Sequence, residues 1–151
     1  MKTRTLISIL ILVLALLIIC EGYATDKKVT KKDYRFVSGT WINEDYNTRA
    51  FSAKYVVHRD GTFDTYNRTS DTGKESSGHY EIIDKWTDYE GNIWYKMHTW
   101  RGVIVEGKPN DYELHKYSNS GKVLEYISRH GDFPTEMDEN HLWYHIYYRQ
   151  E

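Results

Sequence analysis

Residues 50–67 read AFSAKYVVHRDGTFDTYN, and this stretch is the clearest structural signal in the chain. Apolar and polar side chains alternate in residues 50–59 and again in residues 62–67, which is the period of a half-buried β-strand. Asp60-Gly61 separates the two runs. This dipeptide is the strongest short-range hairpin signal, because both central positions of a type I′ turn need positive φ. The stretch therefore predicts two antiparallel strands joined by a tight turn.

The same alternation recurs on both sides of this hairpin, with turn residues about every 8–12 positions. Residues 68–77 are polar and predict a loop, and residues 32–37 predict a one-turn helix before the first strand. Eight strands joined by short turns predict an all-β fold, an antiparallel up-and-down meander that closes into a barrel and leaves no exposed edge. The six further predicted strands are residues 38–43, 79–86, 93–101, 111–117, 122–129 and 141–149.

The first predicted strand carries Gly39-Thr40-Trp41, and the last predicted strand ends at Arg149. With these features the chain resembles the lipocalin-like (calycin) barrels over residues 36–149, and most closely the short bacterial lipocalin-like domains. The resemblance implies that the Gly-x-Trp motif places Trp41 at the base of the barrel. It also implies that Arg149 packs across the Trp41 indole in a cation–π contact.

The N-terminus has the three parts of a secretory signal peptide. Lys2 and Arg4 precede an apolar run at residues 6–19, and Gly22-Tyr23-Ala24 supplies small residues for cleavage after Ala24. The apolar run is shorter than the roughly 20 residues that span a bilayer. We therefore expect a chain without a membrane span after processing.

These features divide the chain into a signal peptide at residues 1–24, a polar tether at residues 25–35 and a barrel domain at residues 36–151. The predicted location is outside the cytoplasm, either periplasmic or extracellular. Two alternatives stay open. Cys20 is the attachment point if the chain is processed as a membrane-anchored lipoprotein, and the apolar run is an uncleaved anchor if it spans with strain.

Composition excludes several classes of protein. The chain has 20 Lys and Arg against 22 Asp and Glu, and this lack of a basic surplus argues against nucleic-acid binding. A single cysteine builds neither a disulfide framework nor a thiolate zinc site. Aromatic residues make up 15% of the chain, which argues against disorder. No cofactor is predicted, and the oligomeric state is not predicted.

Catalytic and metal sites are not predicted either. His141 and His145 would lie about 13 Å apart on one strand, too far to share a metal ion. Scattered, partly exposed histidines are the preferred interpretation, with a cross-strand pair or a haem ligand as the alternative. Asp84, Asp88 and Glu90 are interpreted as a solvated turn, and no nucleophile motif is present. The chain is therefore predicted not to be an enzyme. Its seven histidines are His58, His79, His98, His115, His130, His141 and His145.

The alternation also predicts which side chains face the barrel interior. An eight-stranded interior is either filled by side chains or holds one small ligand, and both readings stay open here. If it holds a ligand, we expect a small, mostly apolar molecule. The predicted lining comprises Tyr55, Val57, Phe63, Tyr80, Ile82, Tyr95, Met97, Tyr112, Leu114, Tyr144 and Ile146, with Leu124 on the same inward face.

The alternative function is a non-enzymatic one, in which a barrel with a filled core acts as an envelope interaction protein or an inhibitor. Such a protein would bind its partner through its outer surface. The predicted outward aromatic residues, which could form a patch for a partner or a membrane surface, are Trp94, Trp100, Trp143 and Tyr147.

Overall fold

The structure, a computed structural model, describes residues 28–43, 54–67, 73–101 and 111–151. Within them, a helix α1 (Lys31–Val37) precedes eight antiparallel strands that form a closed barrel in up-and-down order. This confirms the predicted fold class and is compatible with a lipocalin-like fold. The strands are β1 (Gly39–Ile42), β2 (Lys54–Val57), β3 (Thr62–Tyr66), β4 (Lys74–Thr87), β5 (Ile93–Arg101), β6 (Asp111–Tyr117), β7 (Val123–Arg129) and β8 (Tyr144–Arg149).

Some predictions lie outside the described residues. They are the signal peptide at residues 1–24, the lipidation site Cys20, the first residues of the second predicted strand at 50–53 and the turn at 107–110.

The barrel closes where its first and last strands meet. Trp41 of β1 pairs with Arg149 of β8, and Ile42 pairs with Tyr148. Each other strand pairs with its neighbours in sequence. Each of the eight strands therefore has two neighbours in the barrel.

The Asp60-Gly61 turn joins β2 to β3 as predicted, but its type differs. Gly61 has φ +86°, but Asp60 does not have positive φ, because every described residue with positive φ is a glycine. A type I′ turn needs positive φ at both central positions, so this turn is of another type. The His58 amide donates to the Thr62 carbonyl oxygen, which makes a three-residue loop. Asp60 Oδ1 accepts from the amide of Thr62, so the side chain holds the turn in this form.

Strand β4 is longer than predicted and starts at Lys74, inside the predicted loop at 68–77. These residues lack apolar alternation, and polar contacts to β3 align them instead. Ser76 Oγ lies 2.7 Å from Thr65 Oγ1, and Ser77 Oγ donates to Asp64 Oδ1. Sequence periodicity missed this part of the strand because both of its faces are polar.

Helix α1 closes one end of the barrel, here called the closed end. Thr30 caps the helix, and Asp33 completes a capping box by accepting from the Thr30 amide. Val37 is fully buried, and Tyr34 stacks on Tyr80 of β4 with ring centroids 5.5 Å apart. The boundary drawn between tether and barrel at residues 35 and 36 therefore falls inside a helix that is packed on the barrel.

Asp33 ties this helix to the wall of the barrel. Both of its carboxylate oxygens accept from Lys85 Nζ, at 2.8 and 2.7 Å, and Oδ1 also accepts from the Tyr95 hydroxyl. Burial by itself raises the pKa of Asp33, but the hydrogen bonds from Lys85 and Thr30 outweigh it and lower the pKa below its ordinary value. The carboxylate is thus ionised and holds three elements together.

We expect Asp33→Ala to lower the free energy of unfolding by about 2–3 kcal/mol, because it leaves the Lys85 ammonium and the Tyr95 hydroxyl without their acceptor. Urea denaturation at neutral pH measures this loss. Asp138→Ala is the matched control, since exposed Asp138 accepts from one backbone amide. A loss equal to that of the control would contradict the role assigned to Asp33.

Aromatic side chains fill the interior next to the closed end. The Tyr117 ring stands edge-on to Trp41 at 5.3 Å and to Tyr95 at 5.7 Å. Tyr55 and Phe63 make a similar contact at 5.3 Å. The core is therefore packed with side chains at the closed end. The two ends of the barrel differ in whether the interior is filled by side chains.

On two strands, β6 and β8, the side chains that point into the barrel are not the ones predicted to do so. On β6, Glu113, His115 and Tyr117 point inward and are buried, whereas Tyr112 and Leu114 lie on the outer face. Leu114 is nevertheless buried. The segment between β7 and β8 folds over this outer face, where Phe133 stacks on His98 with ring centroids 5.1 Å apart. The apolar face of β6 is thus the outer face, which the segment between β7 and β8 covers. The prediction took this apolar face to be the inward one, and it was wrong.

On β8 the inward residues are His145, Tyr147 and Arg149. Tyr147, predicted to face outward, is 1% exposed. Ile146, predicted to face inward, is 36% exposed, and the Tyr144 hydroxyl donates to Glu125 on the outer face. The strand carries tyrosines on both faces, so side-chain polarity alone could not distinguish them.

Candidate functional site

A cavity of about 330 Å³ occupies the end of the barrel opposite α1, here called the open end. It lies where β3, β5 and β7 end and β4, β6 and β8 begin, so six strands contribute side chains to one space. The lining consists of Thr65, Glu75, Ser76, Arg101, Asp111, Glu113, Tyr126, Ser128, Arg129, His130, Trp143 and Tyr147.

The inner surface of this cavity is built on a buried carboxylate, Glu113. Its Oε2 lies 2.7 Å from His115 Nε2, and its Oε1 accepts from Thr99 Oγ1 at 3.1 Å. The side chains of His115 and Glu113 are 1% and 5% exposed. A carboxylate only accepts hydrogen bonds, so Nε2 carries the proton in this pair. His115 Nδ1 in turn lies 3.4 Å from the Tyr117 hydroxyl, which extends the network into the packed core.

The charge of Glu113 is maintained by its neighbours. Burial raises the pKa of this carboxyl, but the hydrogen bond from His115 and the guanidinium of Arg101 lower it below its ordinary value. A buried carboxylate is costly unless it is paired and hydrogen-bonded, and this one is both. The cavity therefore has a fixed negative charge at its inner surface, engaged by protein donors.

Arg101 and Arg129 are the two arginines of the lining, and Arg101 is the one on β5. It ends β5, and its guanidinium lies over the Phe63 ring, 5.7 Å from the ring centroid. The residue is exposed in the part of the chain that the structure describes. Burial lowers its pKa, but the charge of Glu113 raises it further, so the group is a permanent cation.

A second contact between a histidine and a carboxyl group lies at the rim. His130 Nδ1 is 2.8 Å from Asp111 Oδ1, with the histidine side chain 80% and the aspartate side chain 14% exposed. Burial, and next the charge of Glu113, raise the pKa of Asp111 above its ordinary value. The two carboxyl groups of β6 thus differ, since Glu113 is held ionised and Asp111 is shifted toward its neutral form.

Tyrosine and histidine rings form one wall of the cavity. Tyr126 stacks on His115 at 5.1 Å and on Tyr147 at 5.8 Å, and His145 lies 5.1 Å from the same ring. Burial raises the pKa of the Tyr126 hydroxyl well above its ordinary value. Burial also lowers the pKa of His145, which is therefore neutral at physiological pH. The surface that Tyr126 and Tyr147 give to the cavity is therefore aromatic.

None of the eleven residues predicted to line a ligand site lies in this cavity. Seven of them are buried in the packed interior instead, namely Tyr55, Val57, Phe63, Tyr80, Ile82, Tyr95 and Met97. The other four, Tyr112, Leu114, Tyr144 and Ile146, lie on the outer face. The residues that do line the cavity are mostly polar and were not predicted. The sequence signal that could have indicated them is the alternation that places Glu113, His115 and Tyr117 on one face of β6.

The residues of the Gly-x-Trp motif are brought together at the closed end. Trp41 is fully buried, and its Nε1 donates to the Val37 carbonyl oxygen at 3.2 Å. The Arg149 guanidinium lies 4.5 Å from the centroid of the Trp41 ring and donates to the Phe36 carbonyl oxygen. Gly39 lies beside this pair. The arrangement is the one that the resemblance implied.

The other chemistry considered from the sequence lies apart from the cavity. Asp88 accepts from the amides of Glu90 and Asn92 and from Trp94 Nε1, so it holds a turn together. Asp84 lies within β4 rather than in the predicted turn. Among the described residues, no group of three or more His, Cys, Asp or Glu side chains could hold a metal ion.

Comparison of the chain with protein-family models, with curated proteins and with solved structures finds no match. The residues that the structure describes contain no helix long and apolar enough to cross a membrane.

Proposed function

We propose that this chain is an exported, lipocalin-like barrel that binds a small molecule in the cavity at its open end. The observation that carries the proposal is the cavity of about 330 Å³ in the barrel. Ligand pockets in proteins begin at about this volume and combine apolar walls with a few placed polar groups. Here Tyr126, Tyr147 and Trp143 supply the aromatic surface, and Arg101 and Glu113 supply the charges.

The lining refines the expected ligand. A mostly apolar molecule would displace water from the charged groups of the cavity and would offer them no hydrogen bond in return, which is unfavourable. A molecule with a flat apolar body and at least one polar group fits better. We therefore propose an amphiphilic ligand in place of a purely apolar one.

Ser128→Phe tests the site, because Ser128 is a small, inward-facing residue of the lining, opposite Glu113 in the β6–β7 pair. We expect the phenyl ring to occupy the cavity and to weaken binding of the uncharged dye phenyl-naphthylamine by about tenfold or more, the equivalent of roughly 1.4 kcal/mol. Dye fluorescence measures the affinity. Ser77→Phe makes the same change at an exposed position of β4 and should leave binding unchanged.

Native mass spectrometry of the purified protein gives an independent test. We expect a bound small molecule in the wild-type spectrum and its absence in the Ser128→Phe spectrum. The proposal of a binding site in this cavity is wrong if no molecule co-purifies and if no dye binding depends on Ser128.

The alternative proposal is an interaction protein that acts through its outer surface. It is supported by exposed apolar residues around β8, since Leu142 is 72%, Tyr148 40% and Ile146 36% exposed. An Ile146→Glu variant separates the two proposals. It should abolish an activity of the outer surface and leave dye binding in the cavity unchanged, whereas Ser128→Phe should do the reverse.

Export is proposed on the N-terminal sequence. The intact mass of the chain recovered after expression of the full sequence distinguishes the three processing routes. Cleavage after Ala24 leaves Thr25 first, lipoprotein processing leaves an acylated Cys20, and an uncleaved anchor retains Met1.

A further inference from the structure

The charges at the cavity are not equally available to a ligand. Glu113 accepts from Thr99 and His115, and its side chain is only 5% exposed. Asp111 is paired with His130 at 2.8 Å. Both inward-facing carboxylates therefore already have donors from the protein, and a cationic ligand would have to compete with those donors.

The surroundings of Arg101 place its guanidinium within the cavity. In the β4–β5 ladder Arg101 is directly opposite Gly78, and cross-strand partners share one face of a sheet. A Cβ atom on Gly78 would collide with the Phe63 ring, at 2.4 Å from its Cζ. Glycine at this position therefore lets the Phe63 ring lie against the wall of the barrel. The Arg101 guanidinium lies over that ring, 5.7 Å from its centroid.

This geometry suits recognition of an acid group. A guanidinium has five donors in a planar fork that matches a carboxylate or sulfonate, so it can engage a ligand as well as protein groups. The Phe63 ring beneath it restricts the orientation of the fork, and the exposed side of the residue leads to solvent. The charge of Glu113 acts on Arg101 and lowers the cost of leaving the cation partly desolvated.

The aromatic wall of the cavity indicates the shape of the ligand's body. Tyr126 and Tyr147 present stacked rings to the cavity, and Trp143 lines it as well. Flat aromatic surfaces favour flat ligands through offset stacking. The available volume of about 330 Å³ limits the ligand to a small molecule.

We infer that the ligand is a small organic anion with a planar body, whose carboxylate or sulfonate group is bound by Arg101 while its body packs against Tyr126 and Tyr147. This inference rests on the proposed function and specifies the ligand class for the same cavity.

Two fluorescent dyes test the ligand class, because they share one aromatic body and differ in a single sulfonate. Anilinonaphthalene sulfonate is the anion, and phenyl-naphthylamine is its uncharged counterpart. We expect the wild-type protein to bind the sulfonate more tightly by about tenfold or more, as a charge-assisted hydrogen bond in a partly buried site implies. Dye binding that is weakened by Ser128→Phe and unchanged by Ser77→Phe places the dye in the cavity.

Variants of Arg101 test the residue. Arg101→Leu should remove the preference for the sulfonate dye and leave the affinity for the uncharged dye within about twofold. Arg101→Lys should keep part of the preference, because lysine retains the charge and loses the fork. Arg35→Leu is the matched control. Arg35 is exposed on α1 at the closed end, so its loss should change neither affinity.

The outcomes separate this inference from the proposed function. Equal affinities for the two dyes in the wild type, both weakened by Ser128→Phe, would overturn the anion and leave the binding site in place. If no dye binding depends on Ser128, both the anion and the binding site in this cavity are overturned. Circular dichroism checks that each variant is folded. If Arg101→Leu does not fold, the wild-type preference and its retention in Arg101→Lys decide the question.

Discussion

Replacing Trp41 with alanine is expected to lower the free energy of unfolding by about 3–5 kcal/mol, which is the usual cost of deleting a buried aromatic side chain. Trp41 is fully buried and contacts groups from three elements. Its ring lies beneath the Arg149 guanidinium of β8 and against Tyr117 of β6, and its Nε1 donates to Val37 of α1. Its loss would leave a cavity where the barrel closes and would remove the ring under the Arg149 cation.

Urea denaturation followed by circular dichroism measures this loss. Trp94→Ala is the matched control, because Trp94 stacks on Trp86 at 5.6 Å on the outer face and is only half-buried. It should cost less than Trp41→Ala. A loss below about 1 kcal/mol for Trp41→Ala would contradict the view that this residue holds the closed end together.

Replacing Glu113 with alanine should be about as damaging, with a loss of about 3–5 kcal/mol at neutral pH. Removing a buried carboxylate leaves the donors that were paired with it buried and uncompensated. Here the substitution leaves His115 Nε2 and Thr99 Oγ1 without their acceptor. It also removes the carboxylate that faces Arg101 across the cavity.

Glu125→Ala is the matched control for Glu113→Ala. Glu125 of β7 is paired with Lys116 of β6 at 3.2 Å on the outer face, where both side chains are 24% exposed. Partly exposed ion pairs contribute about 1 kcal/mol or less. If the two substitutions cost the same, burial of the Glu113–His115 pair is not what stabilises the barrel.

The same carboxylate gives a pH dependence of known sign. The pKa of Glu113 is lower in the folded protein than in the unfolded chain, where it is about 4.3. Its contribution is therefore complete above the unfolded value and is lost as the pH falls through the folded value. The stability difference between the wild type and Glu113→Gln should shrink as the pH is lowered below about 4. A difference that grew with acidification would contradict an ionised Glu113.

Much of the barrel was predictable from local patterns. The Asp60-Gly61 turn and the alternation around it identify antiparallel strands, and eight such segments at short spacing predict a closed meander. These signals are reliable because they reflect backbone geometry and side-chain period, which act within a few residues. Strand β4 was predicted too short, because its first residues are aligned by polar contacts to β3 rather than by burial.

The candidate site was not predictable in the same way. Strands β6 and β8 carry residues of similar polarity on both faces, so the inward side depends on what covers the outer face. The resemblance contains one clue for β8. If Arg149 packs across Trp41 inside the barrel, then Tyr147 and His145 share its face, because side chains alternate along a strand. Considered without that constraint, the pattern of β8 favoured Ile146.

The sequence by itself determined the class of fold, the number and order of the strands and the partners at the closed end, because these follow from side-chain period, turn chemistry and a short motif. Only the tertiary structure decided where the interior is filled and where it is open. That outcome depends on non-local contacts. Phe133 covers the outer face of β6, Gly78 makes room for Phe63, and Glu113 can be buried because His115 and Thr99 donate to it. None of these contacts is encoded in a local pattern.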